Sequence, residues 1–335
     1  MQVSENLLGT DQVRSISDIR STVQDDLKSF RRYFRESMRS DITLLNHVVQ
    51  YLLRQKGKRL RPLLVILSAK CCGEISESTY RASALIELLH TATLVHDDVV
   101  DDADRRRGVF SINAKWKNKV AVLLGDFLLS RGLLLAVEHG EYELLRIVSD
   151  AVKRMSEGEL LQIEKARKLD INEATYFRII SDKTASLISA CTASGAASVG
   201  APQELVDRMK NFGEKLGLAF QIRDDLFDFG IKDVGKPLGI DLKEKKMTLP
   251  LIYALENTSP TERKTIMRIV KKKKKSGADT RQVAAFSVEH GGVDYARKRM
   301  VELAAEARSI LAEFPPSEAR KSLDDLAAYT ISRTR

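Results

Sequence analysis

Two clusters of acidic residues carry the clearest chemical signal in this sequence: His96-Asp97-Asp98-Val99-Val100-Asp101-Asp102 and Gln221-Ile222-Arg223-Asp224-Asp225-Leu226-Phe227-Asp228. Both contain DDxxD. On a helix, the first and last aspartates of such a motif are i,i+4 neighbours with β-carbons about 5–6 Å apart, so they face one way. A solvated acidic face is the bland alternative, and it would win for either motif alone. It fits the pair poorly, because like charges at that spacing repel and carboxylates near a helix C-terminus oppose its dipole. Each motif also follows directly on an apolar stretch, which puts the carboxylates at the mouth of an internal cavity. Gathered there they require cations, and oxygen-only donors select a hard ion, magnesium, with manganese as a substitute. No cysteine or paired histidine accompanies them, which counts against zinc. Magnesium completes its shell with water and substrate phosphates, so a phosphorylated ligand is implied.

Cationic residues flank the two clusters in order. Gly57-Lys58-Arg59-Leu60-Arg61-Pro62 lies upstream, Arg105-Arg106-Arg107-Gly108 follows the first cluster, and Lys183-Thr184, Lys236 and Lys246 lie further on. Arginine matches phosphate oxygens with a bidentate fork, and lysine serves as a point charge. Any one of these alone reads as a surface charge; the combination with paired carboxylates does not. GKRLRP lacks the P-loop spacing, so nucleotide chemistry of that kind is not supported.

The elements that must hold these groups are helical. The chain has 335 residues, 43% hydrophobic and 30% charged, with a formal charge of +9. Pro62 and Pro202 bracket a long proline-free stretch carrying apolar residues at helical spacing, without the turn clusters of a β-rich chain. Arg81 to Val100 is apolar almost all round, as a central buried helix should be. Val120 to Val137 reads the same way, with Gly125 and Gly132 admitting close neighbours, and its Asp126 and Arg131 argue against a membrane span. Further helices are expected over Glu157 to Lys168, Thr175 to Ser189, Glu204 to Phe229 and Asp294 to Phe314. The expected fold is one large all-α domain. Cys71, Cys72 and Cys191 show no metal or redox spacing and read as reduced fillers of a soluble, cytoplasmic protein. The run Lys271 to Lys275 has no interleaved aromatics, which excludes a nucleic-acid platform and leaves at most a peripheral membrane contact.

The ordered set GKRLRP, LVHDDVVDDADRRRG, DKTASL, QIRDDLFDFG and GKPLGIDLKEKKMTLP resembles the trans-isoprenyl diphosphate synthases of the polyprenyl synthetase family. The resemblance runs from about Phe30 to the C-terminus, making residues 30–335 a catalytic domain and 1–29 an N-terminal segment without a catalytic role. Lys56 stands where the family usually has a glycine. The resemblance implies a bundle of long helices around a deep cavity, usually in a homodimer. Asp97, Asp98 and Asp101 would hold two magnesium ions on an allylic diphosphate, and Asp224, Asp225 and Asp228 a third from the opposite wall. Arg106, Lys183, Thr184, Gln221, Lys236 and Lys246 match positions that bind the allylic diphosphate. Lys58, Arg61, His90 and Arg107 match those that bind isopentenyl diphosphate. Without the resemblance His90 would read as an ordinary histidine on an apolar face, and His96 reads as structural. The implied chemistry is ionisation, condensation and elimination, with the released diphosphate taking the proton.

Product length is read along the helix that ends in the first motif. In this family bulky aromatics about one turn before it stop the chain early, and here Ala92 and Thr93 are small. The floor must lie deeper, about 12 Å down at about 1.5 Å per residue, near Leu85 and Leu89, with Leu128 or Leu133 from the next helix; ordinary core packing is the alternative for each. The expectation is a medium-to-long all-trans product of about C35–C45, such as a quinone tail. Alternatives are a geranylgeranyl or farnesyl diphosphate synthase, a subunit of a heteromeric synthase (such subunits typically lose one motif), a related terpene cyclase, and a basic protein docked on membranes.

Overall fold

The computed structural model describes residues 14–54, 60–106, 108–229, 242 and 246–332. Its organising element is α5, Glu77–Val100, whose Leu85, Ile86, Leu88, Leu89 and Val95 are all buried. A helix apolar on every side has to be enclosed on every side. Around it pack α2 (Gln24–Ser37), α4 (Leu60–Cys72), α6 (Ile112–Glu138), α7 (Tyr142–Lys168) and α9 (Ser186–Ala197). The pairing of α5 with α6 depends on two glycines. A β-carbon at Gly125 would lie 2.1 Å from His96 Nε2, and one at Gly132 would lie 3.3 Å from Leu85 Cδ1.

The other long helix, α10 (Gln203–Phe227), joins two hydrophobic cores. Its Phe212 and Leu216 belong to the core around α5. Its Ile222 and Leu226 belong to a second core with α8 (Glu173–Ile180), α11 (Leu249–Glu256), α12 (Pro260–Lys271), α13 (Gly277–Glu289) and α14 (Gly292–Ala312). The last helix, α15 (Glu318–Ser332), seats Leu323 and Ala327 in the first core, and α1 (Ile16–Ser21) packs on α15. α3 (Thr43–Arg54) lies against α6. Ile19, Val23 and Leu27 are buried in the same core as Phe30 and Leu63.

Helix starts follow local capping chemistry. Ser111 Oγ accepts from Ala114 N at the start of α6, and Asn172 Oδ1 accepts from Thr175 N at the start of α8. The expected helix over Thr175 to Ser189 is interrupted: Ser181–Ala185 forms a π-turn between α8 and α9. The only strands among the described residues are β1 (Arg105–Arg106) and β2 (Val109–Phe110), an antiparallel pair with Arg106 opposite Val109, turning through Gly108 at φ 83°. Among the described residues α6 is the one helix long and apolar enough to cross a membrane. It lies instead on α5, burying Leu124, Leu128, Gly132 and Leu135. Leu133 points away from this contact and is 40% exposed, so it cannot line an interior floor, whereas Leu128 can.

Candidate active site

Both acidic motifs occupy the same place on their helices. Asp97 and Asp98 lie in the last turn of α5 with Asp101 as its C-cap; Asp224 and Asp225 lie in the last turn of α10 with Asp228 as its C-cap. The chain leaves α5 through a stapled turn: Ala103 N donates to Asp98 O at 2.9 Å, and Asn113 Nδ2 donates to Asp98 O and Ala103 O. This turn delivers the β1–β2 hairpin and places Arg106 over the motif.

In each motif the middle aspartate turns inward. Asp98 is 3% exposed, and both Nε and Nη2 of Arg106 lie 2.7 Å from its Oδ1. Asp225 is 5% exposed; it accepts from the Tyr176 hydroxyl at 2.6 Å and from Gln221 Nε2 at 2.8 Å. Gln221 Oε1 in turn accepts from Thr184 Oγ1 at 2.9 Å. Asp97 and Asp101 reach solvent at the rim. Even so, desolvation by the surrounding protein, then Asp101 and Glu159, push the Asp97 carboxyl above its ordinary range, with Arg106 and Lys183 opposing. Asp224 Oδ1 accepts from Arg223 Nη2 at 3.0 Å.

The π-turn presents Lys183 and Thr184 to two cavities at once. One, of about 100 Å³, is lined by Lys183, Thr184, Gln221, Asp225 and Lys246, together with Gln162, Lys165 and Tyr176. The other, of about 230 Å³, is lined by Lys183 and Thr184 with Arg61 and His90, on otherwise largely apolar walls from α4, α7, α10 and α15. The structure thus brings together the residues read for the allylic diphosphate (Lys183, Thr184, Gln221, Lys246) and, across the same π-turn, two of those read for isopentenyl diphosphate (Arg61, His90). Lys58, Arg107 and Lys236 lie outside the described residues. Lys183 pairs with Glu159 of α7. His96 sits against Gly125 with Nε2 at 3.3 Å from Val122 O, a packing role.

Below Asp97 runs a row at i,i−4 spacing down α5: Thr93, Leu89 and Leu85. Thr93 is half-buried and donates to His90 O, while Ala92, Leu89 and Leu85 are buried in the core, the last two against Gly132. Tyr176, Gln162, Lys165 and Glu159 were not legible as site residues. The signal that could have found Tyr176 is its place just ahead of DKTASL.

The carboxylates fit a hard divalent cation. They offer oxygen donors only, and Asp97 carries a charge that its surroundings disfavour. Among the described residues no three His, Cys, Asp or Glu side chains close into a protein cage.

Inward anchoring aspartates, outward rim aspartates and a lysine–threonine pair between two cavities thus stand together on one helical scaffold. The family model for polyprenyl synthetase matches residues 42–286. The chain is 37% identical over 319 residues to the all-trans-nonaprenyl-diphosphate synthase (geranyl-diphosphate specific) of Rhodobacter capsulatus, covering 94% of this chain and 97% of that one. It is 33% identical to the octaprenyl diphosphate synthase of Escherichia coli (strain K12), covering 96% and 100%. The crystal structure of a decaprenyl diphosphate synthase from Rhodobacter capsulatus superposes with a TM-score of 0.90 at 35% identity, covering 96% of this chain and 100% of that chain. The chain belongs to the polyprenyl synthetase family, whose members are prenyltransferases working with a divalent metal.

Proposed function

We propose that this enzyme extends an allylic diphosphate with isopentenyl diphosphate to a medium-to-long all-trans polyprenyl diphosphate of about C35–C45, a length consistent with a floor two helical turns below Thr93. The observation that carries the reading is the π-turn standing between two cavities, one on the aspartate side and one with Arg61 and His90. The allylic diphosphate lies between Asp97, Asp101, Asp224 and Asp228. Arg106, Lys183, Thr184, Gln221, Lys236 and Lys246 bind it; Lys58, Arg61, His90 and Arg107 bind isopentenyl diphosphate. Magnesium, about three ions in all, would stabilise the negative charge of the leaving diphosphate. Lys183 and Arg106 add fixed positive charge at the same place, which favours the departing anion over the intact ester. Apolar walls around His90 keep water from the allylic cation while the double bond of isopentenyl diphosphate attacks it. The released diphosphate takes the proton.

The small Thr93 lets the growing chain pass down the row toward Leu89 and Leu85, where contact with Gly132 closes the path. Residues 30–335 form the catalytic unit, and Ile19, Val23 and Leu27 ahead of Phe30 contribute packing. The exposed stripe of α6 (Val122, Leu123, Leu129, Leu133, Leu134 and Val137) is apolar enough to seat a second copy, and the enzyme works as a homodimer. Cys71, Cys72 and Cys191 are free thiols, in keeping with a cytoplasmic setting.

Incubation with magnesium, labelled isopentenyl diphosphate and farnesyl diphosphate tests the reading. Products should form a ladder ending beyond geranylgeranyl size, and Thr93→Phe should truncate it. A wild-type ladder stopping at geranylgeranyl would refute the deep floor, and no incorporation by folded protein would refute the activity.

A further inference from the structure

Beneath Lys183 and Thr184 lies an ionic cluster that the proposed chemistry does not use. Arg154 of α7 donates from Nε to Asp182 Oδ1 at 2.8 Å, and from Nη2 to Ser181 Oγ at 2.7 Å and to Glu214 Oε1 of α10 at 3.0 Å. Ser181 Oγ also donates to Glu214 Oε1. One guanidinium therefore ties the first two residues of the π-turn to both flanking helices. The other oxygen of Asp182 lies 3.8 Å from Nε of the largely exposed Arg178.

The backbone is held from the same two helices one turn further along. A β-carbon at Gly158 of α7 would lie 2.8 Å from Lys183 N, and one at Gly217 of α10 would lie 2.6 Å from Ala185 Cα. The glycines let α7 and α10 close on the π-turn, and Arg154 with Glu214 ties them together around it. A π-turn is a rare insertion in an α-helix, found mostly as a single turn and often at a functional site. Relaxation to regular α-helix would turn the residues within it progressively about the helix axis, reaching about 100° for those beyond it. That rotation would break the Thr184–Gln221 bond and pull Lys183 and Thr184 out of line with Gln221 and Asp225 on the aspartate side.

We infer that Arg154 is a positioning residue for the allylic end of the site, clamping the π-turn so that Lys183 and Thr184 meet the diphosphate together. The inference rests on the proposed reading of that pair as diphosphate-binding residues. Lysine at position 154 would keep the charge and the stem but lose the fork that reaches Asp182, Ser181 and Glu214 simultaneously.

Arg154→Lys tests it. The variant should fold, with thermal stability close to wild type. Its KM for the allylic diphosphate should rise about tenfold, the scale expected when binding groups are misplaced by an ångström or less, while the KM for isopentenyl diphosphate stays within twofold. In the substrate-free protein, hydrogen exchange of the Ser181–Ala185 amides should accelerate. Combined with Lys183→Ala, Arg154→Lys should add little, because both act through one contact. Glu214→Gln, which removes a charge without volume, should reproduce the pattern more weakly and serves if the lysine variant does not fold. If Lys183→Ala raises the allylic KM but neither clamp variant does, or if both substrates are affected equally, the clamp is refuted and the site reading stands. If Lys183→Ala leaves the allylic KM unchanged, the site reading fails and the inference with it.

Discussion

The ends of α5 and α10 carry the same DDxxD pattern yet are wired differently. At α5 the inward Asp98 is held by a charged partner, Arg106, which comes from a two-strand hairpin and is itself only partly covered. At α10 the inward Asp225 is held by neutral donors, Tyr176 and Gln221, and the chain of bonds continues to Thr184. The outward residues differ in the opposite sense. Asp224 is paired with Arg223, whose other nitrogen donates to Thr330 O in α15. The Asp97 carboxylate has no hydrogen-bond or ion-pair partner among the described residues, and burial together with Asp101 and Glu159 disfavours its charge. Each wall thus holds one aspartate–arginine pair, but at α10 it falls on the outward Asp224, whereas at α5 it falls on the inward Asp98 and the outward Asp97 waits for a cation.

The largest effect expected from this contrast is on turnover. Asp97→Ala and Asp224→Ala should each lower kcat by about a thousandfold or more, the scale of losing metal-borne charge stabilisation, with far-ultraviolet circular dichroism unchanged. The contrast would show in a magnesium titration of residual activity. Removing Asp97 should demand more magnesium than removing Asp224, whose neighbour Arg223 keeps a positive charge at that wall. Near-normal kcat in either variant would break the assignment of that wall to metal, and equal magnesium requirements would erase the asymmetry.

The inward aspartates should separate by a smaller margin. Asp98→Asn leaves Arg106 without its charged anchor, and a charge-assisted bond to a buried group is worth about 1.5–3 kcal/mol. Tyr176→Phe removes one neutral hydrogen bond from Asp225, worth about 1 kcal/mol, with Gln221 still in place. Steady-state kinetics should therefore show a loss in kcat/KM for the allylic substrate at least severalfold larger for Asp98→Asn than for Tyr176→Phe. A reversal would mean that the Tyr176–Asp225–Gln221–Thr184 chain, not the arginine, is the more demanding scaffold.

Much of this was legible in the sequence, for reasons that differ from residue to residue. The helical class and the burial of α5 followed from its all-round apolar composition, and Gly125 and Gly132 were readable as close approaches because small residues inside an apolar helix have few other uses. The aspartates were readable because i,i+4 like charges have no structural purpose. The π-turn was not legible: DKTASL fits an α-helix locally, and the extra residue is imposed by Arg154, Gly158 and Gly217 from helices distant in sequence. Tyr176 and Glu159 were hidden for a related reason, since each acts through a partner on another helix. The outward turn of Leu133 was missed because α6 is apolar on both faces, so its periodicity does not reveal which side meets α5.

The smallest predicted effect is on the stability of the substrate-free protein, and it isolates the wall that waits for a cation. A carboxyl raised above its unfolded value is disfavoured as an anion in the fold, so the native state binds the proton more tightly than the unfolded one. Stability at Asp97 is therefore greatest at acid pH and declines as pH rises through the folded pKa. Asp97→Asn removes that decline. Without magnesium, the variant should melt above the wild type at neutral pH, and the two should converge as the pH falls below the ordinary carboxylate range. Saturating magnesium with inorganic diphosphate should reverse the order, because only the wild type keeps the full set of oxygen donors. Calorimetry across that pH range checks both halves. A variant that melts lower than the wild type at neutral pH without metal would mean that Asp97 is already satisfied in the apo enzyme, and that the two walls are less different than their bonding suggests.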